Sequence, residues 1–111
     1  MLRNYYGKLL VYASGFAFHK KRLQHVSKAA GRMAKFLDLD LKIVTFQEKF
    51  SQIYVYFENG DGEPIPIYCD KSGKDTIQEI CFALRNMMFV LSFHPKHSAL
   101  KQMRKSIMRF S

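Results

Sequence analysis

Acidic residues are missing from both ends of this chain. Of its 111 residues, positions 1–37 carry eight Lys and Arg and no Asp or Glu, positions 80–111 carry six and none, and all nine acids lie between Asp38 and Glu79. Ordinary surfaces mix both signs, so a formal net charge of +9 distributed this way points to a polyanionic or acidic partner. Cysteine is confined to Cys69 and Cys81, too few for the staple framework of a small secreted domain, and two free thiols in a reducing cytoplasm are expected. Long apolar runs are absent too. The run Leu9 to Phe18 behind Arg3 and Lys8 is interrupted by Tyr12, Ser14 and Gly15, is too short to span a bilayer, and lacks a small-residue cleavage site before His19 to Arg22. A soluble, unprocessed, cytoplasmic protein is therefore expected. Tryptophan is absent, but ten Phe, six Tyr and six Met within a 48% apolar composition exclude a disordered chain and suit one core, hence a single domain over residues 1–111.

What is present reads as helices outside and strands inside. The apolar positions Leu2, Tyr5, Leu9, Tyr12 and Phe16, then Leu23, Val26, Ala30, Met33 and Leu37, recur at intervals of three and four, the spacing that lines one face of a helix. Gly15 and the polar stretch His19 to Arg22 divide them, so N-terminal helices over residues 2–14 and 18–37 are expected. A stripe this long can also pair with a copy of itself, which makes a homodimer through it one expectation beside packing on the chain's own sheet.

After Asp38-Leu39-Asp40 the period changes to two. Strands over 41–47, 52–58 and 63–69, with Asn59-Gly60-Asp61-Gly62 as a hairpin turn, predict a three-stranded antiparallel meander. Pro64 and Pro66 are two apart, so both missing N–H groups fall on one side and restrict the third strand to a sheet edge. Thr76 and Glu79 fit a capping box that opens a helix over 76–93, Pro95 interrupts it, and Leu100, Met103, Ile107 and Phe110 predict a last amphipathic helix over 96–110. The expected class is α+β, the meander packed by the N-terminal and C-terminal helices.

Those helices supply the candidate nucleic-acid-binding residues: Lys20, Lys21, Arg22, His25, Lys28, Arg32 and Lys35 on the first, and Lys101, Arg104, Lys105 and Arg109, with Lys96, on the last. Positions 21, 25, 28, 32 and 35 share one helix face and form a cationic ridge about 20 Å long, able to follow a phosphate backbone by counterion release. Tyr54 and Tyr56 share a strand face opposite Ile53, Val55 and Phe57; stacking of bases there competes with packing, in a stretch that is net acidic.

Other chemistry finds little footing. Cys69, Cys81, His94 and His97 lack the tight thiolate knuckle of a structural zinc site, so neither metal nor other cofactor is expected, and His-Pro-Lys-His reads as a joint between helices. Asp38 and Asp40, and Asp61 and Glu63, fit turn and cap roles, and no glycine loop matches a phosphate-binding fingerprint. A non-enzymatic protein follows. The expected helix, three strands and helix over 18–92 are similar in order to a double-stranded RNA-binding domain. That family's lysine run before the second helix is replaced here by Lys74-Asp75 and Glu79, so the likeness stops at element order. The leading expectation is a small basic nucleic-acid-binding accessory or regulatory protein. A protein-interaction module, a homodimer or an adaptor whose Met33, Phe36, Met87, Met88, Phe89, Met103, Met108 and Phe110 dock an acidic partner, is the alternative. Docking of the last helix on an anionic membrane surface is a third.

Overall fold

The computed structural model describes residues 7–15, 20–59, 63–95 and 98–110. In chain order the elements are β1 (Gly7–Ser14), α1 (Lys20–Leu37), β2 (Asp40–Phe46), β3 (Ile53–Asn59), β4 (Pro64–Asp70), α2 (Ile77–Leu91), α3 (Ser98–Gln102) and α4 (Arg104–Arg109). The expected α+β class holds, but the sheet has four strands in the order β2-β1-β3-β4 and is mixed.

The first strand corrects the expected helix over 2–14, whose residues 1–6 lie outside the described ones. Gly7 opens an eight-residue strand that Gly15 follows, and both of its faces carry apolar residues. Leu9, Val11 and Ala13 point into the core and are fully buried, while Leu10 and Tyr12 alternate onto the other face. A strand flanked on both sides and apolar on both faces reads as continuous apolar sequence, and three- and four-residue intervals can be picked out of such a run by chance. Gly7, at φ 148°, lies where an added Cβ would collide with the Glu58 carbonyl oxygen, so the close approach of β3 reserves that position for glycine.

Inserting β1 also corrects the meander. β2 does not pair with β3; it pairs in parallel with β1, Leu9 beside Leu41 and Val11 beside Ile43, with α1 as the crossover. β3 is antiparallel to β1, Val11 opposite Val55, and β4 is antiparallel to β3, with a register shift between Val55 and Tyr56 that leaves Ile67 as the extra residue. The likeness to the double-stranded RNA-binding order ends here, because the three later strands are not consecutive neighbours. As the prolines require, β4 is an edge. The hairpin tip at 60–62 is outside the described residues.

One apolar cluster joins sheet and helices. Leu9, Val11, Ile53, Val55, Phe57 and Ile67 meet Val26, Ala30 and Met33 of α1 and Ile80, Leu84 and Met88 of α2. Val26, Ala30, Met33 and Leu37 are thus spent inside the chain's own core, and the stripe expected to pair with a copy of itself is not available. Small residues bring α1 and α2 together: the Cys81 Sγ lies 3.9 Å from the Ala29 carbonyl oxygen. Leu100, Met103, Ile107 and Phe110 are all buried, as their spacing indicated, although the expected helix over 96–110 is two short helices broken at Met103, with 96 and 97 outside the described residues.

Helix ends are set locally. At the α1 C-terminus Asp38 adopts φ 57°, its N–H reaches the Lys35 carbonyl at 3.4 Å, and the Leu39 N–H reaches that of Ala34 at 2.7 Å, a left-handed stop that turns the chain into β2. The capping box on α2 is complete: the Glu79 N–H donates to Thr76 Oγ1 at 3.1 Å and the Thr76 N–H to Glu79 Oε1 at 2.8 Å.

Candidate nucleic-acid interface

With α1 fastened to the core along Val26, Ala29, Ala30, Met33 and Ala34, its opposite face has to meet solvent. Lys20, Lys21, Lys28, Arg32 and Lys35 are exposed there and His25 is half-buried. From 21 to 35 the ridge extends about 20 Å, and among the described residues none of its lysines has an acidic partner.

Two of the sequence-derived candidates have other work. Arg22 turns down to the end of β4, where its Nε and Nη2 each lie 2.9 Å from Asp70 Oδ2 and Nη2 also donates to the Asp70 carbonyl at 3.0 Å. Asp70 is buried and takes a further bond from the Gly73 N–H at 3.1 Å. Gly73 sits at φ 71°, with the Arg22 side chain 2.9 Å from where a Cβ would stand, so the ion pair fixes the loop residue as well. Arg104 closes the C-terminal end of α2: its Nε donates to Ser92 Oγ at 3.0 Å and its Nη2 to the Ser92 carbonyl at 2.8 Å, with the guanidinium 3.8 Å above the Phe93 ring. A cation there also suits the negative end of the helix.

Lys101, Lys105 and Arg109 are exposed on α3 and α4. Because α4 folds back against α1 and α2, Arg109 joins Arg32 and Lys35 around one open concavity, lined also by Phe36 and Phe110 and about 560 Å³ in volume. The two terminal basic regions therefore converge at this point. Lys96 is outside the described residues.

The charge is sorted by layer. The four described helices hold eleven Lys and Arg and a single acid, Glu79, which is occupied in its capping box. The remaining described acids lie on strands and connections: Asp38, Asp40, Glu48, Glu58, Glu63, Asp70 and Asp75. On the sheet side Tyr68 donates to Asp75 at 2.6 Å, and burial first, then this bond, hold its phenol well above the ordinary value. Burial likewise pushes the Cys81 thiol up, opposed by nearby Arg32. Cys69 and Cys81 are both free, the former exposed and the latter buried. Among the described residues no three His, Cys, Asp or Glu gather as a metal site, and no helix is long and apolar enough to cross a membrane.

Sequence reasoning placed Phe36 only on the alternative protein-docking surface and passed over Arg85. Phe36 falls one turn after Arg32 on the outward side of α1, out of phase with Met33 and Leu37, and that phase was the available signal. Arg85 lies on α2 with its guanidinium 4.8 Å over the Phe82 ring, a contact that the helical spacing of three residues allows. No family model matches the chain, and no curated protein or solved structure matches it either.

Proposed function

We propose that the protein is a small nucleic-acid-binding accessory protein that holds phosphates on its helical layer and catalyses no reaction. The observation that carries this is the layer's composition, eleven cations against one committed acid. Lys21, Lys28, Arg32, Lys35 and Arg109 form the proposed contact set, with Lys20, His25, Lys101 and Lys105 available at its margins; Arg22 and Arg104 support the fold. The non-enzymatic reading is supported by what the acids do: Asp70 binds Arg22, Asp75 takes the Tyr68 hydroxyl and Glu79 caps a helix. Two free thiols fit a reducing, cytoplasmic setting. Five phosphate contacts correspond to a slope of about −4.5 for log K against log salt on duplex DNA. Titration of duplex and single-stranded DNA and RNA at several salt concentrations measures it, and a slope near zero overturns the proposal.

One observation favours a second reading, self-association. The two sheet edges differ: β4 carries Pro64 and Pro66, whereas β2 has neither proline nor bulge and leaves Leu41 at 37%, Ile43 at 47% and Phe46 at 39% exposure. Unguarded apolar edges invite another strand. An antiparallel pairing of β2 with its copy about Ile43 sets Leu41 opposite Thr45 and Lys42 opposite Val44, with no like charges facing. Light scattering over a concentration series tests it: dimer abolished by Ile43→Lys supports this edge, and a monomer throughout rules it out.

A further inference from the structure

Phe36 is an aromatic ring at 50% exposure in the middle of a cationic surface. It follows Arg32 by one helical turn and adjoins Lys35, and buried Phe110 supports it from behind, the ring centroids 5.7 Å apart at 47°. Both rings and Arg32, Lys35 and Arg109 line the same concavity, with no acidic residue among the described residues that line it. Phe36 is thus presented by a long helix packed on the core, with three phosphate-seeking groups at its rim.

The aromatic cluster on the open sheet face lacks those properties. There the rings of Tyr12, Phe46, Phe50, Tyr54 and Tyr56 lean on one another at interplanar angles of 45° to 63°, so each covers part of its neighbour. Asp40 and Glu58 share that face with Lys8 and Lys42, and phosphates flanking a base would meet both signs.

We propose, resting on the phosphate-binding reading above, that the concavity takes a nucleotide whose base is unpaired: Arg32, Lys35 and Arg109 hold the phosphates while the base lies against Phe36. Bases inside a duplex are stacked on each other and have no face to offer, so the ring contributes only with an unstacked base.

The test titrates the full chain with an oligothymidylate, an abasic oligomer of the same phosphate count and a duplex, each at several salt concentrations. Phe36→Leu is expected to lose about tenfold on oligothymidylate and to leave the abasic oligomer and the duplex unchanged, while Phe36→Tyr keeps wild-type affinity for all three. Equal loss on every probe, or no loss on any, overturns the inference. Salt-dependent binding that ignores bases removes this inference alone; flat salt dependence with all probes removes the phosphate reading beneath it. Should Phe36→Leu fail to fold, wild-type protein that binds the abasic oligomer as tightly as oligothymidylate overturns it equally.

Discussion

On one side of the core the described helices set eleven Lys and Arg against Glu79; on the other the strands set Lys8 and Lys42 against Asp40, Glu58 and Asp70. Both sides expose aromatic rings, but only the helical side surrounds one with cations. Charge segregated along a chain becomes charge segregated in space when the segments of one sign pack on the same face of a sheet. α1 and α2 do so here because each must bury one stripe against β1, β3 and β4. The pair Arg22 and Asp70 ties the two regions together across 48 positions of sequence.

The strongest way to break this contrast is to reverse charge on each side in turn. Lys28, Arg32 and Lys35 changed together to Glu should lower affinity for any nucleic acid by about a thousandfold near 0.1 M salt and flatten the salt slope by about 3, as read by fluorescence anisotropy. Reversal of Lys8 and Lys42 on the open sheet face should cost less than about tenfold, because those residues act from beyond the contact face. Cutting the tie between the regions comes next. Asp70→Ala leaves the Arg22 side chain, 21% exposed, without its carboxylate and should destabilise by about 2–3 kcal/mol in denaturant unfolding. Thr76→Ala, which removes the α2 cap without touching either surface, should cost about 1 kcal/mol by the same measurement.

The smallest effect sharpens the sheet side alone. The Tyr68 phenol is held protonated, its folded value above that of the unfolded chain, so its contribution is complete below about pH 10 and is lost as pH rises beyond it. Tyr68→Phe should therefore flatten the alkaline decline of stability and leave nucleic-acid binding unchanged, checked by thermal unfolding from neutral to strongly alkaline pH.

Much of the molecule was legible where local rules govern. α1, the three later strands, the edge position forced by Pro64 and Pro66 and the Thr76 capping box follow from periodicity, backbone chemistry and side-chain caps. β1 was not, because a central strand apolar on both faces carries no period of two, and its insertion between β2 and β3 is a tertiary pairing that neighbouring residues do not encode. The ridge on α1 could be drawn from helical spacing, whereas the convergence of Arg109 on Arg32 and Lys35 depends on the return of α4. For Arg22 and Arg104, sequence shows two more cations; only their distant partners, Asp70 and Ser92, reveal that they hold the fold.

The most direct measurement is an amide chemical-shift titration of the full chain with oligothymidylate. Shifts should concentrate on residues 21–36 and 105–110 and stay small on 42–46 and 54–58; the opposite distribution, with the open sheet face responding and α1 silent, would contradict binding by the helical layer.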